Sequence, residues 1–238
     1  MATKTNYFIP KVRPSRLNYL GLLFSLIGFV LVILCLSGGH SKAGQSLHFL
    51  KITDNPPSQL AVTYGWRGYC INDKTWQCKT DDSMMVVPFD VAVSDMLNGT
   101  YPELFENAIP QDPDLNPLAG PNPPHDPKIF AAAVLCLLCG GSGLTLGLLR
   151  TMGRGFEDKH YGRGFLCCAA AVLALLLVAE CSVMYANAAT QLTREYPQLI
   201  ATQGPGLPMM GVAFGSFVLA GFCFLQGCFS KEDSYRPI

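Results

Sequence analysis

Four long runs of apolar residues divide the chain, and each is free or almost free of charged side chains. The first, LGLLFSLIGFVLVILCLSG, is apolar over about 20 residues, the length that an α-helix needs to cross a hydrocarbon core of roughly 30 Å. Backbone polar groups in lipid must bond within their own segment, so each run predicts a spanning helix. The predicted spans are 17–37, 129–149, 164–189 and 207–229.

The long connection between the first two spans has a different pattern, with a period of two residues that is typical of half-buried strands. One side of a predicted strand carries Leu60, Val62, Tyr64 and Trp66, and the other carries Ala61, Thr63 and Gly65. The preceding segment SLHFLKI predicts a neighbouring antiparallel strand, because the turn residues Asp54 to Pro57 separate the two. Two further strands would form a hairpin around residues 72–74.

Cys70 and Cys78 lie on the two arms of this predicted hairpin, eight residues apart. Directly opposite positions of an antiparallel pair bring the Cα atoms to a distance that suits a disulfide. The sequence therefore predicts a Cys70–Cys78 bridge. Further along, seven prolines between Pro110 and Pro127 predict an extended strap that returns to the membrane.

The composition indicates a membrane protein, and the distribution of charged residues predicts its orientation in the bilayer. Half of the residues are hydrophobic and only 14% are charged, which is low against the roughly 25% of globular proteins. Lysine and arginine number four in the N-terminal arm, four between Arg150 and Arg163, and two in the tail. Between the last two spans there is only Arg194, and Glu195 neutralises it. Basic loops stay in the cytoplasm, so both termini are predicted inside.

The connection at 38–128 is then extracellular, and three features agree. It contains the glycosylation sequon at Asn98, an even pair of cysteines, and eleven acids against six bases. The predicted organisation is 1–16 inside, 17–37 spanning, 38–128 outside, 129–149 spanning, 150–163 inside, 164–189 spanning, 190–206 outside, 207–229 spanning and 230–238 inside.

The motif GWRGYC at 65–70, followed by Cys78, stands in the first outer loop of this four-span plan. It resembles the claudin type, in which a W-G-L-W-C-C signature lies in a small sheet above a left-handed four-helix bundle. It is more similar to fungal members, whose loop reads glycine, two apolar residues, glycine, any residue and cysteine, then a second cysteine. Arg67 departs from this pattern, which has an apolar residue there.

The resemblance implies the fold class membrane α, as a claudin-like four-helix transmembrane bundle with a small extracellular antiparallel β-sheet. It implies that Gly65, Trp66, Gly68, Cys70 and Cys78 shape the outer sheet. Two fungal families share the motif: the low-affinity calcium-uptake and mating-fusion family, and the PalI family of cortical membrane proteins. The implied location is the plasma membrane.

Several residues outside the disulfide are candidates for function. Trp66 and Tyr69 could anchor the sheet at the lipid interface or contact another protein, or simply pack within the sheet. Glu180 is an acid on a predicted span, and such residues are costly in lipid, so it is either part of a cation pathway or a structural acid reached by water or Arg67.

The cysteines and glycines of the spans allow two interpretations each. Cys167, Cys168 and Cys228 stand at predicted cytoplasmic helix ends, where they are either palmitoylation sites or ordinary helix residues. The Cys136-x-x-Cys139 pair has no further ligand nearby and predicts small-residue packing rather than a metal site. The small-x-x-x-small pairs at 143/147 and 211/215 predict close helix packing within the chain or lateral self-association.

No catalytic constellation, cofactor motif or metal-ligand spacing is present in the sequence, so we expect a protein that is not an enzyme. The first hypothesis is a regulator of calcium influx and membrane fusion. The alternatives are a scaffolding tetraspan that organises a cortical membrane domain and a claudin-like adhesion module. The expected partners are the bilayer, a second copy or another membrane protein or channel, and at most weakly bound calcium, but no nucleic acid.

Overall fold

In the computed structural model, the structure describes residues 16–38, 46–54, 61–66, 68–73, 75–80, 127–152, 161–195 and 199–229. The helices are α1 (Arg16–Ser37), α2 (Pro127–Thr151), α3 (Gly162–Glu195) and α4 (Gly206–Phe229). The strands are β1 (Leu50–Asp54), β2 (Ala61–Tyr64), β3 (Gly68–Asp73), β4 (Thr75–Thr80) and β5 (Leu199–Gln203). The sequon at Asn98 and the proline-rich strap lie outside the described residues.

The four helices are long and apolar enough to cross a membrane, which confirms four candidate spans. Their apolar stretches are Arg16–Ser37, Ala131–Thr151, Gly162–Val183 and Gly206–Gln226. Helix α3 is longer than predicted, with 34 residues and a length of about 51 Å at 1.5 Å per residue. Since a hydrocarbon core is roughly 30 Å thick, one end of α3 extends well beyond it.

The helices form a closed ring in which α1 contacts α4, α4 contacts α3, α3 contacts α2 and α2 contacts α1. Two phenylalanines of α4 fill the inside of this ring. A Cβ atom built on Gly28 or Gly140 would lie 3.1 Å or 2.8 Å from the Phe217 ring, so glycine makes room for that ring on both α1 and α2. Phe224 lies in the same way between Gly21 and Gly147.

The strands form one antiparallel sheet in the order β4-β3-β2-β1-β5. Four of them come from the long connection, as predicted. The fifth comes from the short connection between α3 and α4, where the sequence predicts only a loop at 190–206. Residue pairs from Leu50↔Gln203 to Asp54↔Leu199 join β5 to β1, so the α1–α2 and α3–α4 connections contribute to the same sheet.

The connection between β5 and α4 extends this pairing by two backbone hydrogen bonds. The N–H of Gly204 donates to the Phe49 carbonyl at 2.8 Å, and the N–H of Gly206 donates to the His48 carbonyl at 3.0 Å. A Cβ atom on Gly204 would collide with the His48 carbonyl oxygen, so only glycine fits there. This close approach fixes the start of α4 against the start of β1.

The sheet buries the predicted side of β2, because Val62, Tyr64 and Trp66 are all 1% exposed or less. The other side is not open to water as a strict alternation would require. Thr63 is only 2% exposed, and its hydroxyl donates to the Cys70 carbonyl at 3.4 Å. Residue 60 lies outside the described ranges, so its predicted place on this strand is not observed.

Candidate functional site at the sheet–bundle junction

The sheet is joined to the bundle by a buried group that we call the junction cluster: Phe49, Trp66, Cys181 and Tyr185. The Phe49 ring stacks on Trp66 with centroids 5.0 Å apart and on Tyr185 with centroids 5.3 Å apart. Each of the four side chains is at most 2% exposed. Aromatic pairs of this kind add about 0.5 to 1.5 kcal/mol each beyond the burial of their area.

The polar atoms of the junction cluster are paired across the two layers. The indole Nε1–H of Trp66 donates to the Cys181 Sγ at 3.2 Å, and the Tyr185 hydroxyl donates to the Gly65 carbonyl at 3.5 Å. A buried donor without a partner costs about 1 to 3 kcal/mol, so these contacts favour one position of the sheet on α3. The sheet therefore rests on the bundle through specific contacts as well as apolar burial.

These contacts decide between the alternatives for Trp66. Its side chain is 0% exposed and packs against Phe49 and α3, so packing is observed, and an anchor in the lipid interface is wrong for this residue. The same burial excludes a direct contact between Trp66 and another protein. For Tyr69 only the backbone in β3 is described, and its side chain lies outside the described residues.

The motif glycines flank the turn between β2 and β3, since Gly65 follows β2 and Gly68 begins β3. The Gly65 N–H donates to the Gly68 carbonyl at 2.9 Å, which brings the two strands together within a few residues. Both glycines are buried. Gly68 also faces Thr80 in the β3–β4 register, so it stands where three strands meet. Arg67, between these glycines, is outside the described residues.

The predicted disulfide is confirmed: Cys70 and Cys78 are bonded, with Cα atoms 4.0 Å apart. The two residues face each other in the β3–β4 register, as the hairpin argument required. The bridge cross-links the two strands that lie farthest from β5, at the opposite edge of the sheet.

Glu180 lies next to the junction cluster but points the other way. It belongs to an exposed stripe of α3 with Val172, Leu176 and Val183, which are 67%, 45% and 61% exposed, whereas its neighbour Cys181 faces inward. This places the carboxyl near the end of the apolar stretch Gly162–Val183 that is closer to the sheet, on the outside of the bundle. The cation pathway stays a prediction, and a path through the middle of one copy does not pass this side chain.

The structure separates the three candidate palmitoylation sites. Cys167 is 0% exposed, with its Sγ 3.8 Å from the Ser25 hydroxyl, and this burial argues against acylation because the acyl chain needs an exposed thiol. Cys168 is half-buried beside Gly221. Cys228 lies in the last turn of α4, but its side chain is outside the described residues.

The two small-residue pairs have different surroundings. Gly143 packs against Cys167, and Gly147 packs against Leu22 and Phe224, so the pair on α2 serves packing within the chain. By contrast, no atom comes within 4 Å of a Cβ built on Gly211 or Gly215. The pair on α4 therefore faces away from the bundle.

Cys136 and Cys139 take no part in a metal site within the described residues. Among these residues no three His, Cys, Asp or Glu side chains come together as metal ligands. The Cys136 thiol donates to the Ala170 carbonyl at 3.4 Å, which is a helix-packing contact between α2 and α3.

Two buried polar side chains, at the end of the bundle away from the sheet, are not predicted by the sequence. Asn18 and Arg163 are 2% and 3% exposed, and the Arg163 guanidinium lies over the Phe224 ring, 5.4 Å from its centroid. The sequence pattern indicates only a basic residue of a predicted cytoplasmic loop at Arg163. Its sequence signal was weak, because a lysine or arginine beside a span normally remains in water.

No protein-family model matches the sequence, and no curated protein matches it either.

Proposed function

We propose that this chain is a non-enzymatic multi-pass protein of the plasma membrane, with both termini in the cytoplasm, that regulates calcium influx and membrane fusion through a partner. The motif resemblance supports the family of functions, and the acidic outer connection supports a role near cations. The bundle itself supports action on a partner rather than conduction by one copy.

The observation that supports action on a partner is that aromatic side chains fill the inside of the helix bundle. Phe217 occupies the space between Gly28 and Gly140, and Phe224 occupies the space between Gly21 and Gly147. A cation crossing there would lose its hydration in contact with aromatic rings and find no carboxylate, because Glu180 points outward. A separate channel protein would then provide the pathway, and this protein would control it.

Calcium flux into liposomes tests whether this protein conducts calcium itself or controls a separate channel. The purified full-length protein should leave the flux at the level of empty liposomes, and an ionophore added at the end shows that the vesicles are intact. In cells, loss of the protein should lower calcium uptake or fusion. Conduction by the purified protein would overturn the regulatory proposal, and unchanged uptake and fusion in cells lacking it would overturn both parts.

Two variants, one single and one double, define the role of acidic groups in the same cells. Glu180→Gln should leave uptake unchanged if the side chain lines no path, whereas an uptake that falls to the deletion level would favour a pathway along the outside of the bundle. Neutralising Asp81 and Asp82 together should give a partial loss that disappears at high ionic strength, because surface fields decay over a Debye length of about 8 Å.

The second candidate is a scaffold that organises a cortical membrane domain. The outward-facing pair Gly211 and Gly215 favours it, because small residues let helices of neighbouring copies approach closely. Crosslinking in membranes with Gly211→Ile and Gly215→Ile measures this association. Equal crosslinking of the parent protein and both variants would remove the support for a scaffold.

A further inference from the structure

A groove lies between β5 and the part of α3 that extends beyond the membrane-spanning stretch. Its volume is about 510 Å³. The helix side is formed by Ala186, Ala189, Thr190, Thr193 and Arg194, and the strand side by Ala201 and Gln203. All of these residues follow Val183, where the apolar stretch of α3 ends, so the groove lies on the same side of the membrane as the disulfide-bonded sheet.

The strand that borders this groove is at the edge of the sheet. β5 pairs with β1 on one side, and on its other side no described strand is paired with it. Gly204 and Phe49 continue the β1–β5 register and are joined by a hydrogen bond. Because bonded and non-bonded pairs alternate in an antiparallel ladder, residues 200 and 202 bond to β1, and residues 199, 201 and 203 direct their N–H and C=O groups toward the open edge.

An edge of this kind, flanked by a helix, is the geometry in which an extended peptide adds to a sheet. An added strand would pair with residues 199, 201 and 203 and place alternate side chains over the groove. The alanines on both walls leave space for those side chains. An edge that no described strand covers therefore lies beside a groove that can select the side chains of a bound peptide.

The polar rim of the groove favours an acidic side chain in the peptide. The hydroxyls of Thr190 and Thr193 donate to the carbonyls of Ala186 and Ala189, at 2.9 Å and 3.0 Å, within α3. The exposed guanidinium of Arg194 lines the same groove, where it presents N–H donors. Glu195 balances its charge in the sequence, and the side chain of Glu195 lies outside the described residues. A carboxylate is the group that complements an arginine, and such charge-assisted hydrogen bonds are stronger than neutral ones.

We propose that the β5–α3 groove binds an extended, acidic peptide segment of a partner protein by strand addition to β5, with a carboxylate of the peptide at Arg194. This inference goes beyond the proposed function, because it concerns a binding surface and holds whether or not the protein affects calcium. Its experiment contains no calcium, so its failure and the failure of the calcium proposal are distinguishable.

The test uses full-length protein in detergent micelles and a fluorescent heptapeptide of alternating valine and threonine with one central aspartate. Fluorescence anisotropy measures binding. Two control peptides differ in one property each: one carries N-methyl groups on alternate backbone amides, which blocks strand pairing, and the other has lysine in place of aspartate. We expect each control peptide to bind at least about tenfold more weakly, which corresponds to about 1.4 kcal/mol.

Matched variants of the protein test the same two contacts, which are the backbone pairing with β5 and the contact between the peptide carboxylate and Arg194. Ala201→Pro removes an N–H that points to the open edge and keeps the pairing with β1, since proline is tolerated at sheet edges. It should weaken binding about tenfold, whereas Ala201→Ser should not. Arg194→Gln should remove the preference for aspartate over lysine, whereas Arg150→Gln, at the far end of α2, should preserve it.

Equal binding of the N-methylated peptide would overturn strand addition, and equal binding of the lysine peptide would overturn the acidic preference. Absence of binding by the aspartate peptide would overturn the proposal as a whole. Because these three outcomes need only the parent protein, they hold even if Ala201→Pro fails to fold.

Discussion

Trp66 shows how one side chain can belong to a sequence motif and act through residues far from it. Its indole donates to Cys181, which is 115 residues away, and its ring stacks on Phe49. The motif and the disulfide could be predicted because the residues are neighbours in the sequence or on one hairpin. Cys181 and Tyr185 could not, because nothing in the apolar pattern of a span marks which residue will contact a sheet that folds elsewhere.

Substitutions at Trp66 measure the strength of this junction. Trp66→Ala should lower the free energy of unfolding by about 3 to 5 kcal/mol, because it empties a buried aromatic site. Trp66→Phe keeps a ring and loses only the contact with Cys181, so it should cost less. Thermal unfolding in detergent gives the order of the variants.

Phe222→Ala is the control for the Trp66 series, because that side chain is 58% exposed on the outside of α4. It should unfold close to the parent protein. If Phe222→Ala and Trp66→Ala were equally destabilising, the junction cluster would not be the contact that holds the sheet.

At the scale of elements, the apolar runs predicted four helices, because the bilayer fixes the length that a span must have. The end of α3 and the whole of β5 were missed. The last turns of α3 carry polar residues such as Thr190, Thr193 and Arg194, which resemble a loop by hydropathy. The helix continues beyond the apolar stretch because it packs against β5, and helices in water depend on such packing. β5 has only five residues, and its partner β1 is about 150 residues earlier in the sequence.

The space that Gly28 and Gly140 leave for the Phe217 ring gives a prediction about helix packing. Gly140→Ala should destabilise the protein by about 1 to 3 kcal/mol, because its Cβ would lie 2.8 Å from the ring. Phe217→Leu should partly restore the stability of Gly140→Ala. Gly215→Ala is the matched control on α4, where a Cβ meets no atom within 4 Å, and unfolding in detergent compares the three. A neutral Gly140→Ala would refute the tight fit.

The β3–β4 hairpin gives a second prediction at this scale. Breaking the bridge with Cys70→Ser should cost about 2 to 3 kcal/mol, the chain-entropy value for so short a loop. In cells this loss should appear as retention in the secretory pathway, measured by surface labelling. The double variant with Cys78→Ser should behave like the single one, and normal surface levels of either would contradict a structural role for the bond.

For the complete protein, the lysines and arginines outside the predicted spans predict the orientation in the membrane. We expect both termini in the cytoplasm, because the arm, the loop at 150–163 and the tail hold most of the lysines and arginines outside the sheet connection. Terminal tags should be protected from protease on intact cells, and the mobility shift by glycosidase should vanish in Asn98→Gln. A tag cleaved from outside would reverse the model.

The β5 strand also has a consequence for how the protein is made. In the proposed orientation β1 crosses the membrane early in synthesis, but its second neighbour is encoded at 199–203, after two more candidate spans. At 5 to 20 residues per second, translation needs roughly 7 to 30 seconds to supply it. For that interval the nascent chain displays an open strand edge, and β1 gains its second neighbour only after the residues of β5 have been translated.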